Sequence, residues 1–386
     1  MTEPRSPCPH SPDCVGCPWS GMPYAEQLAR KEERVRAALA RHDSLSGVRP
    51  LPIRPAPRPF GYRARVKLVA RRGREGLRLG VYRPGTHEVA DIRGCAAHHP
   101  AANETLAAVA SILERLRVPT YDERRRTGWL RYVIVRVGAE RRVQLVLVVR
   151  DRGYAGEREL AQALTGLRGV IGVVLNLNDD PGNALFGPRF LTVAASPPLR
   201  SGALVDRVGE LALRSSAGSF TQANPSAARA AYAEVVRLAE PKAGLRAIDL
   251  YCGVGAIALS LARAGMEVQG IEENPQAVRD ARANAEANAV QSVRFTQGDA
   301  ASALVRKGER VDLVTLNPPR RGAAPEVREA IARLAPQRIV YLSCDPDTLA
   351  RDLADLAARG CRTEAVEPFD FLPQTEHVEA VALLVR

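Results

Sequence analysis

Hydrophobic and polar residues follow two different periods along this chain, and the change of period divides it. From Gly61 to Ala70, Ala64, Val66 and Leu68 alternate with Arg63, Arg65 and Lys67, which predicts a strand with one buried and one basic face. Further β-rich runs occupy residues 79–82, 133–137, 143–149 and 170–178, with a helix predicted near 102–116. Upstream, Leu28, Val35, Ala38 and Leu39 recur at helical spacing among charges, predicting an amphipathic surface helix over 24–41. The Pro-rich stretch 49–59 reads as a rigid connector. Around residues 219–225 the pattern turns to Ala-rich helix, and apolar strands at 247–250, 268–273, 311–317 and 339–342 then alternate with helical segments. That alternation predicts a helix-covered, mostly parallel sheet. The expected architecture is α/β: a Rossmann-like domain over 215–386, preceded by a mixed α+β domain over 1–214.

Charge sharpens the division. The chain has 386 residues and a net charge of +12, with 35 Lys and Arg against 21 Asp and Glu before Ser215 and 20 against 22 from there onward. All the excess positive charge sits in the first part, the signature of a polyanion-docking module beside a catalytic one. Arg124, Arg125 and Arg126, with Trp129 close behind, form a second basic patch with an aromatic able to stack on bases. Nucleic acid is the expected partner, and no feature calls for an obligate protein partner. No apolar run approaches the ~20 residues of a membrane span, and the start lacks a signal-peptide core. A cytoplasmic protein is expected, and in that reducing compartment seven cysteines argue for metal binding or catalysis over disulfides.

Three of those cysteines crowd one loop: Cys8, Cys14 and Cys17 are spaced Cys-x5-Cys-x2-Cys among Pro and Gly, and Cys95 is the available fourth ligand. Four thiolates suit a [4Fe–4S] cluster or zinc, with His10, His98 or His99 able to replace one of them around zinc. In the second half, Asp249-Leu-Tyr-Cys-Gly-Val-Gly255 is a strand, a Gly turn and a helix start, and Glu272 ends the next strand 23 residues after Asp249. An acid there can hold ribose hydroxyls. The third glycine of a dinucleotide fingerprint is missing, which favours S-adenosylmethionine over a pyrophosphate ligand. Asn317-Pro-Pro stops a strand beside that expected pocket. Cys344 falls where the apolar run 339–342 ends, a place where ligands gather in open α/β sheets; a buried structural cysteine is the competing reading. Glu379 enters the final apolar strand, where burial would raise its pKa and suit it to a general base.

The ordered set of motifs resembles a known family, the uracil-C5 RNA methyltransferases of the TrmA/RumA/RumB group. The resemblance spans nearly the whole chain: the cysteine loop, Phe-x-Gln-x-Asn at 220–224, Asp-Leu-Tyr-Cys-Gly-x-Gly, Gly-Ile-Glu at 270–272, Asn-Pro-Pro-Arg-Arg-Gly, Ser-Cys-Asp and His-Val-Glu. It is most similar to the RumB (RlmC) branch, which acts on 23S ribosomal RNA, carries Asn-Pro-Pro-Arg-Arg-Gly and lacks a TRAM domain. Cysteines beginning at residue 8 leave no room for one. Two positions depart from that branch: the first cysteine gap is short, as in RumA, and Asp345 stands where Asn is usual. The resemblance implies an EC 2.1.1 enzyme using S-adenosylmethionine, with Gln222, Tyr251, Glu272 and Asn317 binding it. It also implies Cys344 as nucleophile, Glu379 as base, and Cys8, Cys14, Cys17 and Cys95 around a [4Fe–4S] cluster.

The chemistry calls for such residues. C5 of uracil is too weak a nucleophile to take a methyl group until a thiolate adds at C6, and a stacked uracil must first be flipped out. Competing readings are a tRNA uracil-C5 methyltransferase, an exocyclic-amine methyltransferase needing no cysteine, and a non-catalytic RNA-binding or ribosome-assembly factor. The missing third glycine disfavours a dehydrogenase.

Overall fold

The computed structural model describes residues 8–74, 76–182, 184–196, 201–305 and 311–386. Helix α1 (Tyr24–Ala40) precedes β1 (Arg65–Gly73), β2 (Gly76–Tyr82), β3 (Val89–Asp91) and α2 (Pro100–Arg115). Next come β4 (Leu130–Val137), β5 (Val143–Val149), α3 (Glu157–Thr165), β6 (Val170–Leu177), β7 (Arg189–Ala195), β8 (Leu204–Val208) and β9 (Leu211–Ser215). Helices and strands then alternate: α4 (Pro225–Ala239), β10 (Arg246–Leu250), α5 (Ala256–Arg263), β11 (Glu267–Glu272), α6 (Pro275–Ala287) and β12 (Val293–Gln297). The last elements are α7 (Ala300–Val305), β13 (Leu313–Leu316), α8 (Pro325–Leu334), β14 (Arg338–Ser343), α9 (Pro346–Ala358), β15 (Arg362–Phe369) and β16 (Glu379–Val385).

The chain forms two compact units. The first takes in the described part of Met1–Gly21 with Arg58–Asp206 and Ser215–Asn224. Its sheet runs β3-β2-β1-β4-β5-β6-β7, antiparallel except where β5 and β6 pair. The alternation along β1 does what its pattern predicts: Ala64, Val66, Leu68 and Ala70 join Leu106 and Leu113 of α2 in the core. Trp129 departs from expectation. It is 3% exposed, its Nε1 donates to Asp151 O at 2.8 Å and its ring tilts against Tyr154, so it is a core residue and no stacking platform. A large ring beside a strand start gains more from burial than from solvent.

The second unit takes in Met22–Pro57, Arg207–Arg214 and Pro225–Arg386. Its sheet runs β12-β11-β10-β13-β14-β16-β15, parallel except for β16, which lies antiparallel between β14 and β15. Strand order reverses direction at β10, whose neighbours are β11 and β13, and ligands of open sheets bind at such a switch point. Helix α1 packs in this unit through an unexpectedly polar stripe. Lys31 and Asp370, both without exposed side-chain surface, pair at 2.5 Å; Tyr24 donates to Asp370 at 2.8 Å and Gln27 to Gln374 at 2.9 Å. Buried charges persist only when paired, and here the pair ties α1 to the segment leading into β16. Among the described residues, no helix is long and apolar enough to cross a membrane.

Candidate active site

The carboxyl edge of the second unit's sheet gathers five of the residues singled out from sequence. Cys344 follows β14 directly, and Asp345 caps α9, its Oδ1 accepting from the backbone N–H groups of Asp347 and Thr348, each at 3.0 Å. An Asn would accept the same two bonds, which accounts for Asp at this position. Because β16 runs antiparallel to β14 with Ala380 opposite Ser343, its first residue, Glu379, lies beside Cys344. Among the described residues the buried Glu379 Oε2 has no hydrogen-bond partner. Burial pushes the Glu379 carboxyl up to about 7, with the Arg320 charge pulling the other way. Burial first, and then the Glu379 carboxylate, push the half-buried Cys344 thiol up to about 11, again against Arg320. Arg320, quoted in the Asn-Pro-Pro motif without a role, is therefore the cation that acts on both groups.

The loop carrying Arg320 leaves β13 at Asn317 and is clamped from behind. Asp352 Oδ2 accepts from Ala323 N at 2.8 Å and from Tyr341 Oη at 2.6 Å, while Arg328 Nη1 donates to Asp352 Oδ1 at 2.9 Å. Thr348 Oγ1 donates to Arg320 O at 3.1 Å, joining the loop to the helix that begins beside Cys344. Gly322 has φ +77°, and a Cβ there would stand 2.5 Å from Asp352 Oδ2, so the turn requires glycine.

On the neighbouring strands, Tyr251 to Gly255 form the turn between β10 and α5, with positive φ at Tyr251 (59°), Gly253 (56°) and Gly255 (91°). A tyrosine in the left-handed region carries strain of the kind that clusters at ligand sites. Glu272 braces the turn: its Oε2 accepts from Gly253 N at 3.0 Å and its Oε1 from Asn274 N at 2.8 Å. Beneath, the buried Asp249 accepts from Thr315 Oγ1 at 2.7 Å and Ala258 N at 3.0 Å, and burial pushes it up to about 7. A Cβ at Gly253 would meet no atom within 4 Å, which leaves open backbone beside an acid with lone pairs to spare. This donor set fits an adenosyl cofactor. Gln222 belongs to the other unit, in the segment where Ala223 O accepts from Ala64 N at 2.7 Å.

The four N-terminal cysteines share a neighbourhood in the first unit. Burial, then the field of Cys95, pushes the Cys17 thiol up to about 11, with Arg63 opposing and Cys8 and Cys14 adding to the rise. Cys95 is likewise raised by burial and by Cys8 and Cys14. Among the described residues, no three His, Cys, Asp or Glu side chains stand at the spacing of a bound metal ion.

A mostly parallel sheet with one reversed strand, a Gly turn and an acid at its switch point suit an enzyme of the adenosyl-cofactor class. Comparison with known proteins narrows this. A family model described as tRNA (Uracil-5-)-methyltransferase matches residues 204–386. The uncharacterized RNA methyltransferase GSU1452 of Geobacter sulfurreducens is 39% identical, the match covering 98% of this chain and 77% of its own length. The RNA methyltransferase tlr0942 of Thermosynechococcus vestitus is 36% identical, covering 98% and 84%. Among solved structures, the tRNA (uracil-54, C5)-methyltransferase of Pyrococcus abyssi with S-adenosyl-L-homocysteine superposes with a TM-score of 0.78. It is 26% identical, covering 97% of this chain and 87% of its own. The chain belongs to the S-adenosylmethionine-dependent RNA uracil-5 methyltransferase family.

Proposed function

We propose that the protein methylates C5 of uracil in 23S ribosomal RNA through a covalent Cys344 adduct. The observation that supports this most is the thiol ending β14 beside a buried carboxyl that starts β16. The Cys344 thiolate adds to C6, opening the C5–C6 double bond and leaving C5 nucleophilic. S-adenosylmethionine, when bound, supplies an electrophilic methyl group, and Tyr251, Glu272, Asn317 and Gln222 are the residues proposed to hold it. Glu379 then accepts the C5 proton; the C–H electron pair restores the double bond and the C6–S bond breaks, returning the thiolate. Arg320 favours the thiolate form of Cys344. The basic first unit would hold the RNA and the second perform the chemistry.

The ribosomal target rests on the Asn317-Pro-Pro-Arg-Arg-Gly motif. A tRNA target is the second reading, favoured by the description of the matching family model and by the Pyrococcus neighbour. Mapping 5-methyluridine in rRNA and tRNA from cells with and without the gene decides between them. Loss confined to tRNA sinks the ribosomal target. For the mechanism, RNA containing 5-fluorouridine should trap a denaturation-stable adduct that disappears in Cys344→Ala, since fluorine at C5 cannot leave as a proton. An adduct that persists in Cys344→Ala would rule out this nucleophile.

Cys8, Cys14, Cys17 and Cys95 are proposed to hold a [4Fe–4S] cluster, with zinc the alternative. Support comes from the Cys-x5-Cys-x2-Cys spacing and from the nearness of Cys17 and Cys95 to Cys8 and Cys14. Methyl transfer moves no electron, so such a cluster would brace the first unit. Iron, sulfide and zinc contents of anaerobically purified protein test this, and stoichiometric zinc without sulfide would overturn it.

A further inference from the structure

The basic side chains along β1 and just before it are of two kinds. At the far end, Arg71 lies 3.9 Å from both Asp122 and Glu123, and Arg72 bonds Glu114 at 2.5 Å. At the near end the cations rest on rings instead. Arg63 lies over Tyr62 at 5.7 Å from the ring centroid, Arg65 over Phe220 at 5.5 Å and Lys67 over Tyr132 at 5.9 Å. Burial lowers Arg65, and burial with the like charge of Arg65 lowers Lys67, with no carboxylate among the described residues opposing either shift. The strand register adds to the strain, because Arg136 of β4 stands opposite Arg65 and donates to neutral oxygens: Gln144 Oε1 at 2.6 Å, Ser216 O at 2.7 Å and Ser215 Oγ at 3.0 Å. Like charges facing across a ladder destabilise it.

A chain that places carboxylates on one half of a strand and rings on the other has kept that second half positive. Rings orient a cation without neutralising it. Residues two apart on a strand project from one face at intervals of about 6.6–6.8 Å, close to the separation of successive phosphates in an extended single strand. We propose that Arg63, Arg65 and Lys67 form a rail that binds consecutive phosphates of single-stranded RNA. The inference rests on the reading of this protein as an RNA methyltransferase and adds the surface and the strand state of the RNA it holds. One straight row of cations suits a single strand, since a duplex presents two phosphate rows across a groove.

The test is fluorescence anisotropy of a labelled oligouridylate across a potassium chloride series, for wild type, Arg65→Gln, Lys67→Gln, Lys67→Glu and Arg72→Gln. Lys67 is the most exposed of the three residues, so its variants should fold, and thermal melts matching wild type confirm it. Each of Arg65→Gln and Lys67→Gln should weaken binding roughly tenfold and reduce the salt slope by about 0.7, one phosphate contact on a single strand. Lys67→Glu should weaken it further, and Arg72→Gln should change neither quantity. Unchanged affinity and slope in the Arg65 and Lys67 variants would overturn the rail. So would equal losses on a duplex competitor that binds more tightly than oligouridylate. The 5-fluorouridine trap run on wild type separates the two claims. An adduct together with unaffected rail variants leaves the methyltransferase reading standing and removes the rail, whereas rail losses without any adduct do the reverse.

Discussion

Glu379 joins two demands at one side chain: a buried position beside a thiol, and a carboxyl poised near neutrality. Replacing it with Gln leaves the proposed nucleophile in place but removes the group proposed to take the C5 proton. Glu379→Gln should therefore lose about 10²–10⁴-fold in turnover while accumulating a covalent RNA adduct with ordinary uridine substrate, visible on a denaturing gel. The same change removes the carboxylate field that raises Cys344, so iodoacetamide should alkylate Cys344 faster than in wild type at pH 8. Arg320→Gln should slow that alkylation, because the cation favouring the thiolate is gone. Stability should respond to pH as well. A carboxyl raised to about 7 in the fold holds its proton more tightly there than in the unfolded chain. The resulting stabilisation is complete below the unfolded value and is lost as pH rises through about 7. Thermal melts of Glu379→Gln should thus match wild type near pH 4 and exceed it at pH 8, by the equivalent of about 3 kcal/mol.

At the level of elements, the site depends on the start of α9 and on the loop after β13. Asp345→Asn should leave stability almost unchanged because the cap bonds survive, whereas Asp345→Ala should cost about 1 kcal/mol in urea denaturation. Asp352 serves the loop instead: its loss removes an acceptor shared by Ala323 N, Tyr341 Oη and the buried Arg328. Asp352→Ala should cost about 3–5 kcal/mol and raise the KM for S-adenosylmethionine, since Asn317 begins the loop that Asp352 secures. An unchanged KM in folded Asp352→Ala would show that the loop is positioned by its prolines alone. The polar stripe of α1 belongs to the same scale. Gln27, Lys31 and Val35 lie one turn apart on a single buried face, so the helix docks through a buried ion pair as well as through Val35, Ala38 and Leu39.

Across the whole molecule, the excess positive charge is concentrated in the N-terminal part, which also holds four of the seven cysteines. The positive excess before Ser215 would give the protein a strongly salt-dependent hold on RNA. If the four cysteines brace the first unit through a cluster, Cys17→Ser should lose iron and sulfide together and lower the melting temperature. The trapped adduct should still form in whatever fraction stays folded. Loss of adduct formation in folded, cluster-free protein would give the cluster a part in the reaction itself.

The sequence alone determined which chemical groups the protein has and much of its local structure. The alternation in β1, the Gly turn after β10, the break after β13 and the thiol at the end of β14 all follow from residue type and short-range period, which are local properties. Tertiary structure decided which of these groups meet. Glu379 reaches Cys344 because β16 enters the sheet antiparallel and in a particular register, and strand order and register are not encoded in any one segment's period. The role of Arg320, the burial of Trp129 and Lys31, and the approach of Cys95 to the cysteine loop share that origin. Each depends on what the rest of the chain packs against a residue, and a side chain's charge or size does not by itself specify its neighbour.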